Sequence, residues 1–364
     1  MHKNIIFVSG ASLAIAIFIV PLVTKLALRF NYLDHPSHRS SHIYPTPRVG
    51  GIGILVGALV GAVIIMESNE SYRDWHNLIL MALLVSASLL GFADDIFQLP
   101  IAGRMPLYLL ITSLIALLVT HVETISLPGF PSVSIGAIGG FLFSVIFIAW
   151  YTNLFNFMDG INGIAGLTGI VTLSALSVAI FFSHGSGAMG LLAVAIAAAT
   201  AGFVLYNFPA ALVFMGDSGS IFLGMAIGSL SLELIELNIL SMAATIFLML
   251  PFVFDATFTL FRRVISRERF WMAHRSHIYQ QMCDLGISSQ NVTIFYGLAS
   301  IFFAFTGLLF DHLPDNLQIT IWWLSLSLML AFSIFIVNKH KNYRLSIKID
   351  SDGAIPEKNQ LNYR

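Results

Sequence analysis

The sequence predicts an all-α integral membrane protein, a polytopic helical bundle of about 11 transmembrane helices whose polar loops gather on the cytoplasmic side. Of its 364 residues, 57% are hydrophobic and only 10% are charged, whereas roughly 25% of the residues of a soluble domain are charged. Mean hydropathy is +0.84, so too little polar surface is available to cover a water-soluble globule. Because lipid satisfies no exposed backbone group and no barrel-like alternation is visible, helices are the expected spanning elements.

Each predicted span is an apolar segment, and about 20 such residues are needed to cross the hydrocarbon. The spans lie at 4–27, 50–66, 78–93, 105–121, 135–152, 161–182, 187–206, 219–232, 239–261, 292–310 and 318–337. The first runs into Lys25 and Arg29 without a small-residue cleavage site, so we interpret it as a retained helix and not a signal peptide. Segment 219–232 is the least secure, because it is short and is followed by Glu233 and Glu236.

The basic residues predict the orientation of the bundle. Sixteen of the 18 Lys and Arg residues fall after spans 1, 3, 5, 7 and 9 or in the tail, and only Lys3 and Arg73 fall elsewhere. We therefore expect the amino terminus outside the cell and the carboxyl terminus inside. Residues 1–338 are predicted to form a single transmembrane domain, and 339–364 a cytoplasmic polar tail.

The composition excludes several classes of protein and site. The single cysteine, Cys283, rules out a disulfide framework and a multi-thiolate zinc site. Eighteen basic and 19 acidic residues give a net charge of −1. That balance gives no whole-chain charge argument for a nucleic-acid partner.

Five carboxylates sit at or near the cytoplasmic ends of predicted spans: Asp94, Asp95, Asp159, Asp217 and Asp255. Ionisable groups at such depths are costly, which makes them candidates for function. Their mutual repulsion would be offset by a divalent cation. The acidic residues of the outside loops follow no pattern and are interpreted as solvated.

The first two inside loops carry candidate phosphate-binding groups. Residues 34–54 read DHPSHRSSHIYPTPRVGGIGI and include Arg48, although an ordinary positive-inside loop is an alternative. Residues 91–106 contain Asp94 and Asp95, which can reach one site only at a helix end or kink, since neighbours on a helix point about 100° apart. Arg104 in this loop is a candidate phosphate clamp, or else an anchor at the membrane boundary.

The third and fourth inside loops carry candidate metal ligands. Asn153, Asn156, Asp159 and Asn162 repeat every third residue, which places oxygen ligands of the kind Mg²⁺ or Mn²⁺ prefers on one side of a helix end. An asparagine ladder that joins helices is the alternative. In FMGDSGS, Asp217 stands between glycines before a span, suited to hold a phosphate and its metal, or to cap the next helix.

The fifth inside loop, 262–280, contains five arginines, of which Arg262 and Arg263 are candidates for substrate binding. His274 and His277 are three residues apart, which predicts that they share one helix face. A His-Glu-x-x-His zinc motif is absent, and imidazoles among arginines suit phosphate and nucleotide. A basic belt that contacts anionic lipid would explain the arginines but not the paired histidines.

A metal ion and arginines beside a phosphate are typical of phosphoryl-transfer sites, in which catalysis is mostly positioning and charge neutralisation. At the bilayer surface, such a site suggests one reactant from the lipid and one from the cytosol. In order, the Asp-Asp loop, Asn-x-x-Asn-x-x-Asp-Gly and Gly-Asp-x-Gly-Ser resemble the polyprenyl-phosphate N-acetylhexosamine-1-phosphate transferases of glycosyltransferase family 4. The resemblance extends from Asp34 to Tyr279, and PTPRVGG and AHRSHIYQ are most similar to the O-antigen-initiating branch.

The resemblance implies that undecaprenyl phosphate attacks the β-phosphorus of a UDP-N-acetylhexosamine at the cytoplasmic face of the bacterial inner membrane and releases UMP. It also implies roles for the candidates, with Mg²⁺ (or Mn²⁺) as cofactor, no nucleic-acid partner, and a homodimer left open. These are metal binding by Asn156 and Asp217; catalysis by Asp94, Asp95, Asp159, His274 and His277; and substrate binding by Arg48, Arg104, Asn153, Asn162, Arg262 and Arg263. Relatives often have consecutive histidines where Arg275 and Ser276 intervene here.

Two other functions are compatible with many spans and acidic residues. A secondary transporter tends to place its coupling residues near the midplane in paired, interrupted helices, whereas these residues lie at loop edges on one face. An intramembrane prenyltransferase would need two Asp-x-x-x-Asp motifs, and this chain has one aspartate pair and an asparagine-rich block.

Overall fold

A computed structural model describes residues 2–36, 44–183, 187–268 and 275–353. In this part of the chain the helices are α1 (His2–Arg29), α2 (Gly50–Ser68), α3 (Trp75–Phe97), α4 (Ile101–Leu118), α5 (Gly136–Met158), α6 (Ile164–Phe182), α7 (Gly187–Asn207), α8 (Gly216–Glu236), α9 (Met242–Phe247), α10 (Leu250–Ile265), α11 (Ile278–Asp284), α12 (Ser289–Phe310) and α13 (Asp315–Gly353). A short 3₁₀ helix spans Glu70–Tyr72, and strands β1 (Thr124–Ile125) and β2 (Val133–Ser134) form an antiparallel pair. The all-α membrane class is confirmed.

Ten helices of the described residues are long and apolar enough to cross a membrane, so the protein is a multi-pass membrane protein. Each matches a predicted span, and the remaining prediction, 239–261, is divided between α9 and α10. The interruption lies at Leu248 and Met249, and Pro251 stands in the first turn of α10. Proline has no N–H to donate to the preceding turn, so it is tolerated where a helix starts and disfavoured inside one.

Helix α8 forms the centre of the bundle, with 89% of its apolar window buried inside the protein. Glycines allow its neighbours to approach closely: a Cβ on Gly224 would lie 2.8 Å from the Thr152 Cα of α5, and one on Gly219 would lie 2.8 Å from the Gly51 Cα of α2. Small residues at helix contacts are typical of packing within membranes. The start of α8 is therefore held between the start of α2 and the ends of α3 and α5.

Helix α13 lies at the periphery, with only 17% of its apolar window buried. It continues without a break past residue 338, through the start of the segment predicted as a tail, to Gly353. Residues 354–364 lie outside the described residues. The division into a domain and a tail stays a prediction.

Candidate active site

The first turn of α8 carries Asp217, whose side chain meets the last turn of α5. Asn156 Nδ2 donates to Asp217 Oδ1 at 3.0 Å and lies 2.9 Å from Ser220 Oγ. Gly216, which begins the helix, has φ +73°, a conformation that glycine adopts without steric cost. The Gly-Asp-x-Gly-Ser block and the asparagine block, 61 residues apart, therefore form one cluster.

The end of α3 contributes the aspartate pair to the same cluster. Asp95 Oδ2 accepts a hydrogen bond from Ser218 N at 3.1 Å, and a Cβ on Gly216 would lie 2.6 Å from that oxygen. Asp94 is buried and forms an ion pair with Arg104 in the first turn of α4. Because α3 ends three residues after Asp94, at Phe97, the two carboxylates diverge and still border one cavity.

Arg104 joins the aspartate pair to the start of α8. Its Nη1 contacts Asp94 Oδ2 and lies 3.5 Å from Asp217 Oδ2. A guanidinium between two carboxylates reduces their repulsion and presents further N–H donors. The structure thus positions Arg104 inside the cluster, although its role towards phosphate stays a prediction.

The Pro-Thr-Pro-Arg-Val-Gly-Gly segment packs against the residues that precede α8 through backbone hydrogen bonds. Phe214 N donates to Pro47 O at 2.8 Å, and Gly50 N and Gly51 N donate to Phe214 O and Met215 O at 2.9 and 2.8 Å. A Cβ on Gly51 would lie 2.2 Å from Gly219 N, so this approach requires glycine. The pairing sets Arg48 at the rim, where its Nε lies 3.7 Å from Asp34 Oδ2.

Two cavities flank Arg104 and Asp217. The first, of about 340 Å³, is polar and is lined by Tyr32, Leu33, Asp34, Arg48, Asp94, Asp95, Ile96, Gln98, Leu99, Arg104 and Asp217. The second is a groove of about 80 Å³ between α4, α5 and α8, lined by Arg104, Met105, Tyr108, Leu109, Thr112, Ala149, Thr152, Asn153, Asn156, Phe157, Asp217 and Ile221. The cluster thus has one polar opening and one mainly apolar opening.

The asparagine block is only partly on one side of a helix, because α5 ends at Met158. Asn153 and Asn156 line the groove. Asn162 lies beyond the helix end, where its Nδ2 is 3.4 Å from Pro209 O and its carbonyl accepts from Thr293 Oγ1 at 2.8 Å. The prediction of a shared face is therefore wrong for Asn162, and its substrate role stays a prediction.

Asp159 follows the last residue of α5 and is partly buried. Burial raises the pKa of Asp159, Arg48 lowers it and Asp217 raises it, with a net value of about 7. Asp159 therefore lies close enough to Arg48 and Asp217 for their charges to act on it. Its carboxyl therefore changes protonation near neutral pH.

Asp255 on α10 organises the segment that contains the histidine motif. Its carboxylate accepts from Ile278 N, Tyr279 N and Tyr296 Oη at 2.8, 3.1 and 2.6 Å, and lies 3.4 Å from His277 Nδ1. All of these groups are buried. The sequence predicted Asp255 as a candidate functional residue but indicated no partner for its carboxylate.

Tyr279 connects the segment held by Asp255 to the asparagine block. Its hydroxyl donates to Phe157 O at 3.2 Å, and a Cβ on Gly160 would lie 2.0 Å from the same hydroxyl. The start of α11 therefore lies against the turn that follows α5. His277 is the residue before α11 and its N–H donates to Gln280 Oε1 at 3.2 Å, so the predicted shared helix face does not hold at His277.

The remaining basic-loop candidates are described in part. Arg262 Nη2 donates to Ser276 O at 2.9 Å, and Arg263 Nη1 lies 2.6 Å from Glu268 Oε2. Both contacts join residues within the same loop, 262–280. His274 lies outside the described residues, and the substrate roles of both arginines stay predictions.

The residues that match a known family include most of the helices that form this site. The family model "Glycosyl transferase family 4" matches residues 77–235, the stretch that contains the aspartate pair, the asparagine block and the Gly-Asp-x-Gly-Ser turn. Over these residues the chain is similar to glycosyl transferase family 4. Arg48, Asp255 and His277 lie outside the matched residues, although contacts with the matched helices or the turns between them hold their segments in place.

The similarity to curated proteins extends over most of the chain. The chain is 27% identical over 329 residues, 89% of this chain and 88% of the relative, to a probable undecaprenyl-phosphate N-acetylglucosaminyl 1-phosphate transferase of Bacillus subtilis. It is 26% identical to an undecaprenyl-phosphate alpha-N-acetylglucosaminyl 1-phosphate transferase of Thermotoga maritima (73% of this chain, 77% of the relative). A decaprenyl-phosphate N-acetylglucosaminephosphotransferase of Mycobacterium tuberculosis is 24% identical (80% and 79%).

The chemistry of the donor groups at this site is compatible with a magnesium ion that also binds substrate phosphate. No group of three His, Cys, Asp or Glu side chains within the described ranges is arranged to hold a metal alone. Mg²⁺ is usually bound by one or two carboxylates together with substrate phosphates and water. Asp217 supplies a carboxylate, and the Asn156 amide beside it can present its oxygen after rotation, since N and O are exchanged by a flip.

Proposed function

We propose that this chain transfers N-acetylhexosamine 1-phosphate from a UDP-sugar to undecaprenyl phosphate, in a Mg²⁺-dependent reaction that releases UMP. One observation carries the proposal: contacts through Arg104 and the start of α8 join Asp94, Asp95, Asn156 and Asp217 into one cluster. The cluster lies between a polar cavity and a groove among helices that are apolar enough to span a membrane. A site that joins a charged cytosolic donor to a lipid acceptor needs both openings. The names of the relatives favour N-acetylglucosamine as the first sugar to test.

The chemistry assigns tasks to the side chains. An oxygen of the lipid phosphate forms a bond to the β-phosphorus, and the bond from that phosphorus to the bridging oxygen of UMP breaks. Mg²⁺, held by Asp217 and Asn156, would neutralise the pyrophosphate. Arg104 and Arg48 bind and orient phosphate oxygens. Asp94 and Asp95 line the polar cavity, and Asp94 contacts Arg104 where this cavity meets the groove. One of the two aspartates accepts a proton at this border if the lipid phosphate arrives as a monoanion, since its second pKa is about 6.

The groove between α4, α5 and α8 favours a lipid acceptor. Its polar end contains Arg104, Asn153 and Asp217, whereas Leu109 and Ala149 belong to its apolar wall. A phosphate headgroup at the polar end would leave its hydrocarbon chain among apolar helices, where no polar group has to be desolvated. The product would be a sugar-pyrophosphoryl lipid, the first intermediate of an O-antigen or related envelope glycan, made on the cytoplasmic face of the inner membrane.

The proposal is tested with the purified chain in proteoliposomes that contain undecaprenyl phosphate. UDP-N-acetylglucosamine and Mg²⁺ are added, and UMP and lipid-linked sugar diphosphate are measured together, followed by a panel of other UDP-N-acetylhexosamines. We expect equal amounts of both products and no reaction after chelation of the metal. Uptake of a solute without UMP release would favour a transporter, and release of inorganic diphosphate from an added prenyl diphosphate would favour a prenyltransferase.

A further inference from the structure

Two tyrosine hydroxyls are buried at the active site and have no hydrogen-bond partner among the described residues. They belong to Tyr32, just after α1, and to Tyr108 in α4. A buried hydroxyl without a partner loses its hydration and gains nothing in return. Such a group in a natural protein calls for an explanation, and a ligand that accepts the hydrogen bond supplies one.

Tyr32 borders the polar cavity together with Asp95 and Asp217. Burial and the nearby Asp95 raise the pKa of Tyr32 to about 12, although Arg48 opposes the shift. The hydroxyl therefore keeps its proton at neutral pH and can donate a hydrogen bond. None of the described carboxylates that line the cavity accepts one from it. An anionic ligand in this cavity would meet a ready hydrogen-bond donor.

Tyr108 borders the groove on the other side of the cluster. It lies four residues after Arg104 in α4, so both side chains occupy the same helix face. The groove lining also includes Asn153 and Asn156. A phosphate at the polar end of the groove would thus have a guanidinium and a phenol hydroxyl on one helix, and amides on the next.

The two cavities share Arg104 and Asp217 but no tyrosine. A reaction between two phosphorylated molecules needs two adjacent phosphate positions, and these cavities are adjacent. The groove has an apolar wall suited to a lipid, whereas the polar cavity suits a nucleotide diphosphate. The unpartnered hydroxyls therefore differ in which substrate they can reach.

We propose that Tyr108 donates a hydrogen bond to the polyprenyl phosphate and that Tyr32 donates one to the diphosphate of the nucleotide sugar. Each tyrosine then sets the affinity for one substrate. This inference rests on the proposed function and deepens it.

The test uses Tyr32→Phe and Tyr108→Phe, which keep the ring and remove only the hydroxyl. The matched control is Tyr151→Phe, because the Tyr151 hydroxyl is also buried without a partner in the described structure but borders neither cavity. We expect Tyr108→Phe to raise the KM for undecaprenyl phosphate about tenfold, equivalent to about 1.4 kcal/mol, and to leave the KM for the UDP-sugar unchanged. Tyr32→Phe should do the reverse, and Tyr151→Phe should change neither.

Three results would overturn the assignment: unchanged KM values in both variants, an equal rise for both substrates in either variant, or the opposite pairing of tyrosine and substrate. Gel filtration and thermal unfolding in detergent separate these effects from misfolding. Direct titration of each variant with UDP-N-acetylglucosamine or undecaprenyl phosphate gives the same comparison without turnover. If the unmodified chain forms no product, the proposed function fails; the titrations then still decide whether the tyrosines bind these two molecules.

Discussion

Replacing Asp255 with asparagine should both destabilise the protein and slow its reaction, although the side chain keeps its size. In the native chain the carboxylate is 3% exposed and accepts four hydrogen bonds, from Ile278 N, Tyr279 N, Thr259 Oγ1 and Tyr296 Oη. An asparagine keeps one acceptor oxygen and turns an NH₂ group towards the other donors. The Tyr296 hydroxyl can rotate to accept from that NH₂, but a backbone N–H cannot.

The magnitude follows from this count of donors. In either orientation of the amide one backbone N–H, that of Ile278 or that of Tyr279, loses its acceptor, at about 1–3 kcal/mol. The contacts that survive lose the negative charge, which roughly halves their strength. Together these losses predict a destabilisation of about 2–5 kcal/mol, or a fall in the midpoint of thermal unfolding on the order of 5 °C for a chain of this size.

Loss of rate is expected because α11 supports the asparagine block. Tyr279, in its first turn, donates to Phe157 O in the last turn of α5, next to Asn156. A looser start of α11 should lower kcat more than it raises the KM of either substrate. Thermal unfolding in detergent and steady-state UMP release measure the two effects.

A matched carboxylate-to-amide change separates Asp255 from a general effect of lost charge. Glu67 pairs with Arg73 at 2.8 Å with its side chain 69% exposed, and such surface pairs contribute about 0–1 kcal/mol. Glu67→Gln should therefore leave both unfolding and turnover near the native values. If Asp255→Asn also unfolds at the native temperature and turns over at the native rate, Asp255 does not organise this segment.

Three further predictions follow from the same geometry. Asp217→Asn should lower turnover by at least about a hundredfold, the scale of losing one preorganised electrostatic contact, with the protein still folded by gel filtration; a near-native rate would remove Asp217 from the metal site. Because the pKa of Asp159 is raised to about 7, its ionised fraction increases with pH through about 7 and then levels off, so kcat/KM should follow the same course. Asp159→Asn should be inactive or lose that limb of the pH profile, and an unchanged profile would exclude the Asp159 carboxylate. Gly216→Ala should abolish most activity, since it combines φ +73° with a Cβ 2.6 Å from Asp95 Oδ2; Gly286→Ala, at φ +91° with nothing within 4 Å, carries the backbone strain alone and should keep its turnover.

The membrane class and most spans were predictable because they depend on composition and length alone. The segment at 219–232, which was the least secure prediction from sequence, lies in α8, a helix with 89% of its apolar window buried. Its serines lower its hydropathy, yet Ser220 and Ser229 donate to carbonyls one turn earlier, Gly216 O and Met225 O. A helix enclosed by protein need not be as apolar as one that faces lipid, so hydropathy underestimates it.

The candidate site was predictable where function is concentrated in short motifs. The aspartate pair, Asn156 and Asp217 converge as expected. The contact of Asp255 with Tyr296 was not predictable, because it joins residues 41 positions apart on different helices. Tyr32 and Tyr108 gave no signal either, since tyrosine near a membrane boundary is usually an interfacial anchor.

The backbone contacts between residues 47–51 and 214–219 have a consequence for chimeras made between this chain and its relatives. They are main-chain hydrogen bonds and glycine approaches, such as Gly50 N to Phe214 O and Gly51 beside Gly219. Because these contacts join main-chain atoms, they require that both segments keep their backbone conformation. A chimera that imports either stretch alone should misassemble, whereas one that imports both as a unit should retain its architecture.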